Sequence, residues 1–295
     1  MTGDTARSEA VRADTLPSGT RRSEGVRRPL SLGTEIRRQW SRRRTHFALG
    51  LMAALPVILV LAFVLGSDDD DGGTSFVDRA TFGAANFTVF TLVVSAAFLL
   101  VVVIALFFGD TIASEASWGS LRYLLAIPVP RARLLGIKLA VSALSTVAAL
   151  VILTVSSLVV GAVAFGWHPL RSPYGDDIPA DAAVGRITIM VAYIAVTLLV
   201  VAAFGFLLSV RTDAPLAAVG GAVLVFVVSE ILDQVEALGD LRSLLPTHYS
   251  NAWQGLFSDP IQWESMAKGG VVALGYATVF FAVAWRRFLR ADVLS

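Results

Sequence analysis

Charged positions along the chain fall into clusters separated by six uncharged stretches, at residues 47–66, 83–108, 139–166, 187–210, 214–229 and 269–285. A helix rises ~1.5 Å per residue and a hydrocarbon core is ~30 Å thick, so ~20 apolar residues span it. Open strands leave backbone groups unpaired in lipid, which makes helices the economical reading. The pattern predicts an all-α membrane protein with spans at about 47–66, 83–108, 139–166, 187–210, 214–232 and 266–285. The last two reach spanning length only by taking in Glu230–Leu232 and Met266–Lys268. Pro215 follows Asp213 where a first helical turn loses nothing by lacking an N–H, and Pro56 inside the first span predicts a kink.

The flanking segments carry less apolar signal. Residues 1–30 are polar and mixed in charge, which predicts a disordered tail ahead of a six-span domain at 31–295. Within 34–46, Ile36, Trp40 and Arg44 recur at intervals of four, as in a helix lying at a membrane interface. The Arg pair before the first apolar run resembles an export signal, but that run has spanning length and no small-x-small cleavage site. Between the second and third spans, Trp118, Leu121 and Leu125 recur at helical spacing, with Leu124 beside them and Ser114, Ser117, Ser120 and Arg122 as polar surface. Pro128 and Pro130 end that short helix.

Composition supports the membrane reading. With 55% hydrophobic and 16% charged residues and a mean hydropathy of +0.69, the chain is no soluble enzyme, secreted domain or disordered regulator. The absence of cysteine removes disulfides, thiolate metal sites and thiol nucleophiles. Net charge is +1, which identifies no partner, but its distribution is informative. With both termini on one side, that side holds 19 Lys and Arg, and the other holds five, namely Arg79, Arg171, Arg186, Arg242 and Lys268, with 14 of the 23 acidic residues. Positive flanks stay cytoplasmic, so both termini are expected in the cytoplasm of a multi-pass plasma-membrane protein.

Candidate chemistry is sparse. An ionisable residue deep in a bilayer costs ~3 kcal/mol or more and usually serves a function. None lies mid-span; Glu230 and Asp233 come nearest, at what reads as a wet helix end, which argues against a proton relay. Neither Lys138 nor Lys268, the two lysines, follows a phosphate-binding glycine run, so any ATPase is a separate chain. His46, His168 and His248 lack metal-ligand spacing, Asp68–Asp71 lack the calcium-loop pattern, and no Gly-x-Ser-x-Gly elbow occurs. No catalytic residue, cofactor or metal is expected, and nothing indicates nucleic acid as a partner.

The segment 109–138 carries Glu115, then Gly119, Leu121, Arg122, Leu124, Leu125, Pro128, Val129, Arg131, Leu135, Gly136 and Lys138. In these residues it resembles the ABC-2 type permease subunit of ATP-binding cassette transporters, in a branch with G-[ST]-L-R-x-L-L-x-x-P-[VI]-x-R-x-x-L-x-x-K after span two. Leu244–Trp253, with Pro246, His248, Tyr249 and Trp253, is similar to the proline-aromatic segment of that branch between spans five and six. The resemblance extends over roughly 34–290. It implies a transmembrane exporter subunit paired with a second permease, homo- or heterodimeric, and with two cytoplasmic ABC ATPase chains. It also implies an N-terminal interfacial helix, a coupling helix in the cytoplasmic loop, and short outer helices before span six. On that reading Trp118, Leu121 and Leu125 fill a groove on the ATPase while Glu115 and Arg122 set register. ATP hydrolysis belongs to the partner, and alternating access moves the substrate. Gly161, Gly166, Gly205, Gly220, Gly221, Gly269, Gly270 and Gly275 offer close helix approach for a permease dimer, and Asn86, Thr88, Thr91 and Ser95 lie along span two as route-lining candidates or as ordinary tolerated polar residues. The alternatives are a secondary transporter, which the empty mid-spans disfavour, and a non-transporting membrane scaffold.

Overall fold

The structure is a computed structural model that describes residues 32–65, 76–117, 130–172 and 177–290. About 85% of these are helical, none is in a strand, and six helices are long and apolar enough to cross a membrane. Spans one to six are Arg43–Leu65, Ala84–Ser117, Arg131–Phe165, Ala180–Arg211, Pro215–Asp233 and Glu264–Arg290. The all-α expectation with six such helices holds, and the set is compatible with a multi-pass membrane protein. The tail 1–30, Asp68–Asp71, and Trp118, Leu121, Arg122 and Leu125 lie outside the described residues.

Spans two and four form the centre. Of their apolar stretches 44% and 50% are buried, against 17% each for spans one and five. The second half of span two packs on span four and span five, and its first half packs on span three. Span one lies along span three, and span six along span four. Phe87, Leu92, Leu100, Ile104, Phe107, Leu153 and Phe206 fill the interior with no more than 2% exposure. On the outer surface of span three, Val147, Val151, Val155, Val159 and Val163 stand exposed at four-residue intervals. Such a stripe is a liability in water and ordinary against lipid tails.

The helices alternate in direction, as contacts between their ends show. At one end Arg44 meets Asp110, Lys138 meets Glu35, and Val210 shares a recess with Arg286, Arg287 and Arg290. At the other, Asn86 pairs with the backbone of Arg171, Arg186 reaches the Leu256 carbonyl, and Asp233 meets His248. These are called the basic end and the far end.

Several helices overrun their uncharged stretches. Span two continues to Ser117 and span three begins at Arg131, which shortens the connection expected over 109–138. Span two, at 34 residues, is ~51 Å long and so projects well beyond a ~30 Å core. Span four begins at Ala180 and turns at Leu198, between Ala180–Thr197 and Leu199–Arg211. The helix expected at 34–46 is a separate Leu32–Trp40, and Arg44 belongs to span one. At that break the Ser41 hydroxyl donates to the Arg38 carbonyl at 2.9 Å.

Both prolines find places that fit their chemistry. Pro215 is in the first turn of span five, as expected. Pro56 is buried within span one and has no N–H for the Met52 carbonyl; Ser156 of span three donates to that oxygen at 3.5 Å. Small residues allow close approach elsewhere. A Cβ on Gly161 would come within 2.9 Å of Phe87 and 3.1 Å of the Ala84 backbone, where spans two and three meet. Gly220, Gly270 and Gly275 face open space.

Candidate functional site

Two clusters of polar residues stand out, one at each end. At the basic end the overrun of span two carries Asp110 and Glu115, and the first turns of span three carry Lys138. A charged residue inside a packed helix must be paired, because desolvating it alone costs several kcal/mol. Here the partners come from three elements. The Lys138 Nζ donates to Glu115 Oε1 at 2.5 Å and to Glu35 Oε1 at 3.1 Å. Arg38 lies 3.3 Å from the same Glu115 oxygen and 3.8 Å from Glu35. Glu115 is 0% and Lys138 4% exposed, so this pair is as buried as the apolar core.

Asp110, one turn and a half deeper along span two, receives Arg42 at 3.3 Å and Arg44 at close range. Burial pushes the Arg42 guanidinium below its ordinary value, Arg44 pushes it the same way, and Asp110 opposes both. Hydroxyls of span two itself and of the neighbouring spans also engage the span-two backbone here. The Phe107 carbonyl accepts from Thr111 Oγ1 at 2.5 Å and Ser142 Oγ at 2.8 Å. The Ser209 hydroxyl oxygen accepts from the N–H groups of Ile112 and Ala113 at 2.8 and 3.0 Å. The result is a braced base in which Leu32–Trp40, span two, span three and span four are joined by directional bonds. It brackets the connection 118–129 on both sides.

The sequence signalled part of this cluster. Glu115 and Lys138 stand in the recognised motif, but Glu115 lies inside the chain against Lys138, with no exposed surface. Arg44 is expected with Ile36 and Trp40 on one interfacial helix, and no motif in the sequence singles out Asp110, Glu35, Arg38 or Arg42. The helix Leu32–Trp40 turns an acid, Glu35, to the interior and leaves Trp40 exposed. Local periodicity could not reveal that, since Glu35 and its partner Lys138 are 103 residues apart.

At the far end, the segment before span six is built from two tight helical turns, Glu236–Leu244 and Ala252–Phe257. The structure sets His248 against span five and Tyr249 against spans four and six, while Pro246 and Trp253 border a cleft beside spans two, four and five. His248 Nδ1 is 2.6 Å from Asp233 Oδ1, and its ring stands edge-on to Tyr249 at 4.8 Å. Tyr193 of span four donates to the Tyr249 carbonyl at 2.6 Å, and Gly269 of span six leaves room for that contact. Trp253, buried, stands edge-on to Phe257 at 5.6 Å. Ser229 and Thr247 hydroxyls meet at 2.7 Å.

Asn86 is committed to Arg171, donating to its carbonyl at 3.2 Å and accepting from its N–H at 3.0 Å. Thr88, Thr91 and Ser95 are fully buried and donate to carbonyls four residues back in their own helix. Their placement is that of polar residues satisfied in place rather than of a lined route. Among the described residues no group of three metal-ligating side chains occurs.

No curated protein matches the chain. Residues 54–294 do match a family known by the description "protein of unknown function (DUF2705)", a stretch that holds about half of span one, all the later spans, the Asp110–Glu115–Lys138 charges and the far-end segment. By the extent of that match, the chain belongs to the DUF2705 family.

Proposed function

We propose that the chain is the membrane-spanning permease subunit of an ATP-binding cassette exporter, with the connection 118–129 as the element gripped by a separate cytoplasmic ATPase. The observation that carries the proposal is the buried ion-pair cluster of Glu35, Arg38, Glu115 and Lys138. A lever transmits force only if its base is stiff, and this cluster ties both ends of the connection to the helices that would have to move. Trp118, Leu121 and Leu125, at helical spacing, supply the apolar face for a groove, and Arg122 supplies register. Glu115 acts as an internal positioning residue, since its carboxylate faces Lys138.

On this reading the basic end and both termini are cytoplasmic in the plasma membrane, in line with 19 of 24 cationic residues falling on that side. A second permease copy or relative packs laterally, with Gly220, Gly270 and Gly275 open to it. Nucleotide binding and hydrolysis belong to the ATPase, whose closure drives alternating access. The test is co-purification with an ATPase encoded beside the gene. Trp118→Asp combined with Leu121→Asp should abolish capture while the permease still reaches the membrane. Undiminished capture would overturn docking at this segment.

A further inference from the structure

Toward the far end lies a cleft of about 430 Å³ between spans two, four and five and the segment before span six. Its size falls in the ~300–1,000 Å³ range of small-molecule sites. Ala96, Ala97, Thr197, Phe226, Glu230 and Trp253 contribute to its walls. Two backbone irregularities converge on it. Span two widens into a π-helical turn at Ser95–Leu99, and span four turns slightly at Leu198, where ψ is −7° although the backbone bonds from Leu198 to Ile194 and from Ala202 to Leu198 persist. Such departures in otherwise regular helices recur at functional sites, because they cost stability and re-aim backbone and side chains. Both of the central spans make theirs at this one cleft.

Glu230 gives the cleft its charge. It is partly buried and makes no ion pair among the described residues, whereas Asp233, one turn away, is engaged by His248. Among the described residues no lysine, arginine or histidine lines the cleft. A half-buried carboxylate without a cation is a cost that a bound cation would remove. The remaining wall is apolar, with aromatic rings from Phe226 and Trp253 that suit a delocalised or alkylated cation. We infer that the cleft binds a lipophilic organic cation, with its charge at Glu230 and its apolar body against Phe226, Trp253 and the small residues of the π-helical turn. As the cargo site, it rests on the exporter reading and names the substrate class; as a binding site it stands on the cleft alone.

The experiment uses the full chain purified in neutral detergent without any ATPase, and two probes of nearly one shape and opposite charge, tetraphenylphosphonium and tetraphenylborate. Equilibrium dialysis should show saturable binding of the phosphonium and at least about ten-fold weaker binding of the borate. Glu230→Gln should weaken phosphonium binding by at least about ten-fold without weakening the borate, while Glu236→Gln, an exposed acid off the cleft, should change neither. Ala97→Phe fills the cleft without touching its charge, and should abolish phosphonium binding. Absence of saturable phosphonium binding by the wild-type chain, or wild-type affinity in Glu230→Gln or Ala97→Phe, overturns the assignment. Phosphonium binding by a chain that captures no ATPase would sink the exporter reading and keep the cleft. ATPase capture without phosphonium binding would do the reverse.

Discussion

Lys138 shows how little of a residue's role resides in its own neighbourhood. It lies two turns into span three, beyond Arg131 and Arg133, yet its ammonium is held between Glu115 and Glu35, from segments 23 and 103 residues away. Replacing it by methionine keeps the packing and takes from the buried Glu115 its closest cation, so Lys138→Met should destabilise the fold by ~3–5 kcal/mol. Adding Glu115→Gln to that variant removes the stranded charge and should recover much of the loss. Thermal unfolding of the four proteins in detergent measures the coupling, and strictly additive losses would show that the two groups do not act as a pair. Gly269 is the apolar counterpart. A Cβ there would overlap the Tyr193 hydroxyl and lie 2.5 Å from Tyr249 Cβ, so Gly269→Ala should cost ~1–3 kcal/mol. Tyr193→Phe in the same background should restore part of it, because the overlapping oxygen is gone.

Elements were legible where one physical rule sufficed and illegible where several chain segments had to cooperate. The six spans followed from uncharged length, and Pro215 marked the start of span five because a first turn has no use for its N–H. The helical ends of spans two and three have the sequence character of a connection, since Asp110, Glu115 and Lys138 look like solvated loop charges until their partners are known. The inward face of Leu32–Trp40 escaped for the same reason, as its buried residue is an acid. At the far end, Leu244–Trp253 was singled out by pattern, but its carbonyl bonds to Tyr193 and Tyr276 come from spans four and six. Span one offers a test of cooperation between elements. Its Pro56 leaves the Met52 carbonyl open to Ser156 of span three, so Ser156→Ala should cost on the order of 0.6–1.7 kcal/mol, the scale of hydrogen bonds between membrane helices. With Pro56→Ala the helix supplies its own N–H to that carbonyl, and the cost of Ser156→Ala should fall by more than half. An equal cost in both backgrounds would show that the hydroxyl does nothing for span one.

At the scale of the whole molecule, the two ends differ in kind. The basic end is stitched by ion pairs among helices, and the far end by side-chain bonds to backbone carbonyls in short turns. That asymmetry fits a bilayer with cations retained on the cytoplasmic side, and it makes sidedness a decisive measurement. Because the chain has no cysteine, a single introduced one is labelled without background. Ser41 is exposed at the basic end and Asp240 is exposed in the far-end segment. In right-side-out vesicles a membrane-impermeant maleimide should label Asp240→Cys and spare Ser41→Cys, and in inverted vesicles the pattern should reverse. Labelling of both from one side would require an even number of crossings between them in place of five, and the six-span reading would have to be abandoned. The inverse pattern would place the 118–129 connection outside the cell, where no nucleotide-driven partner can reach it.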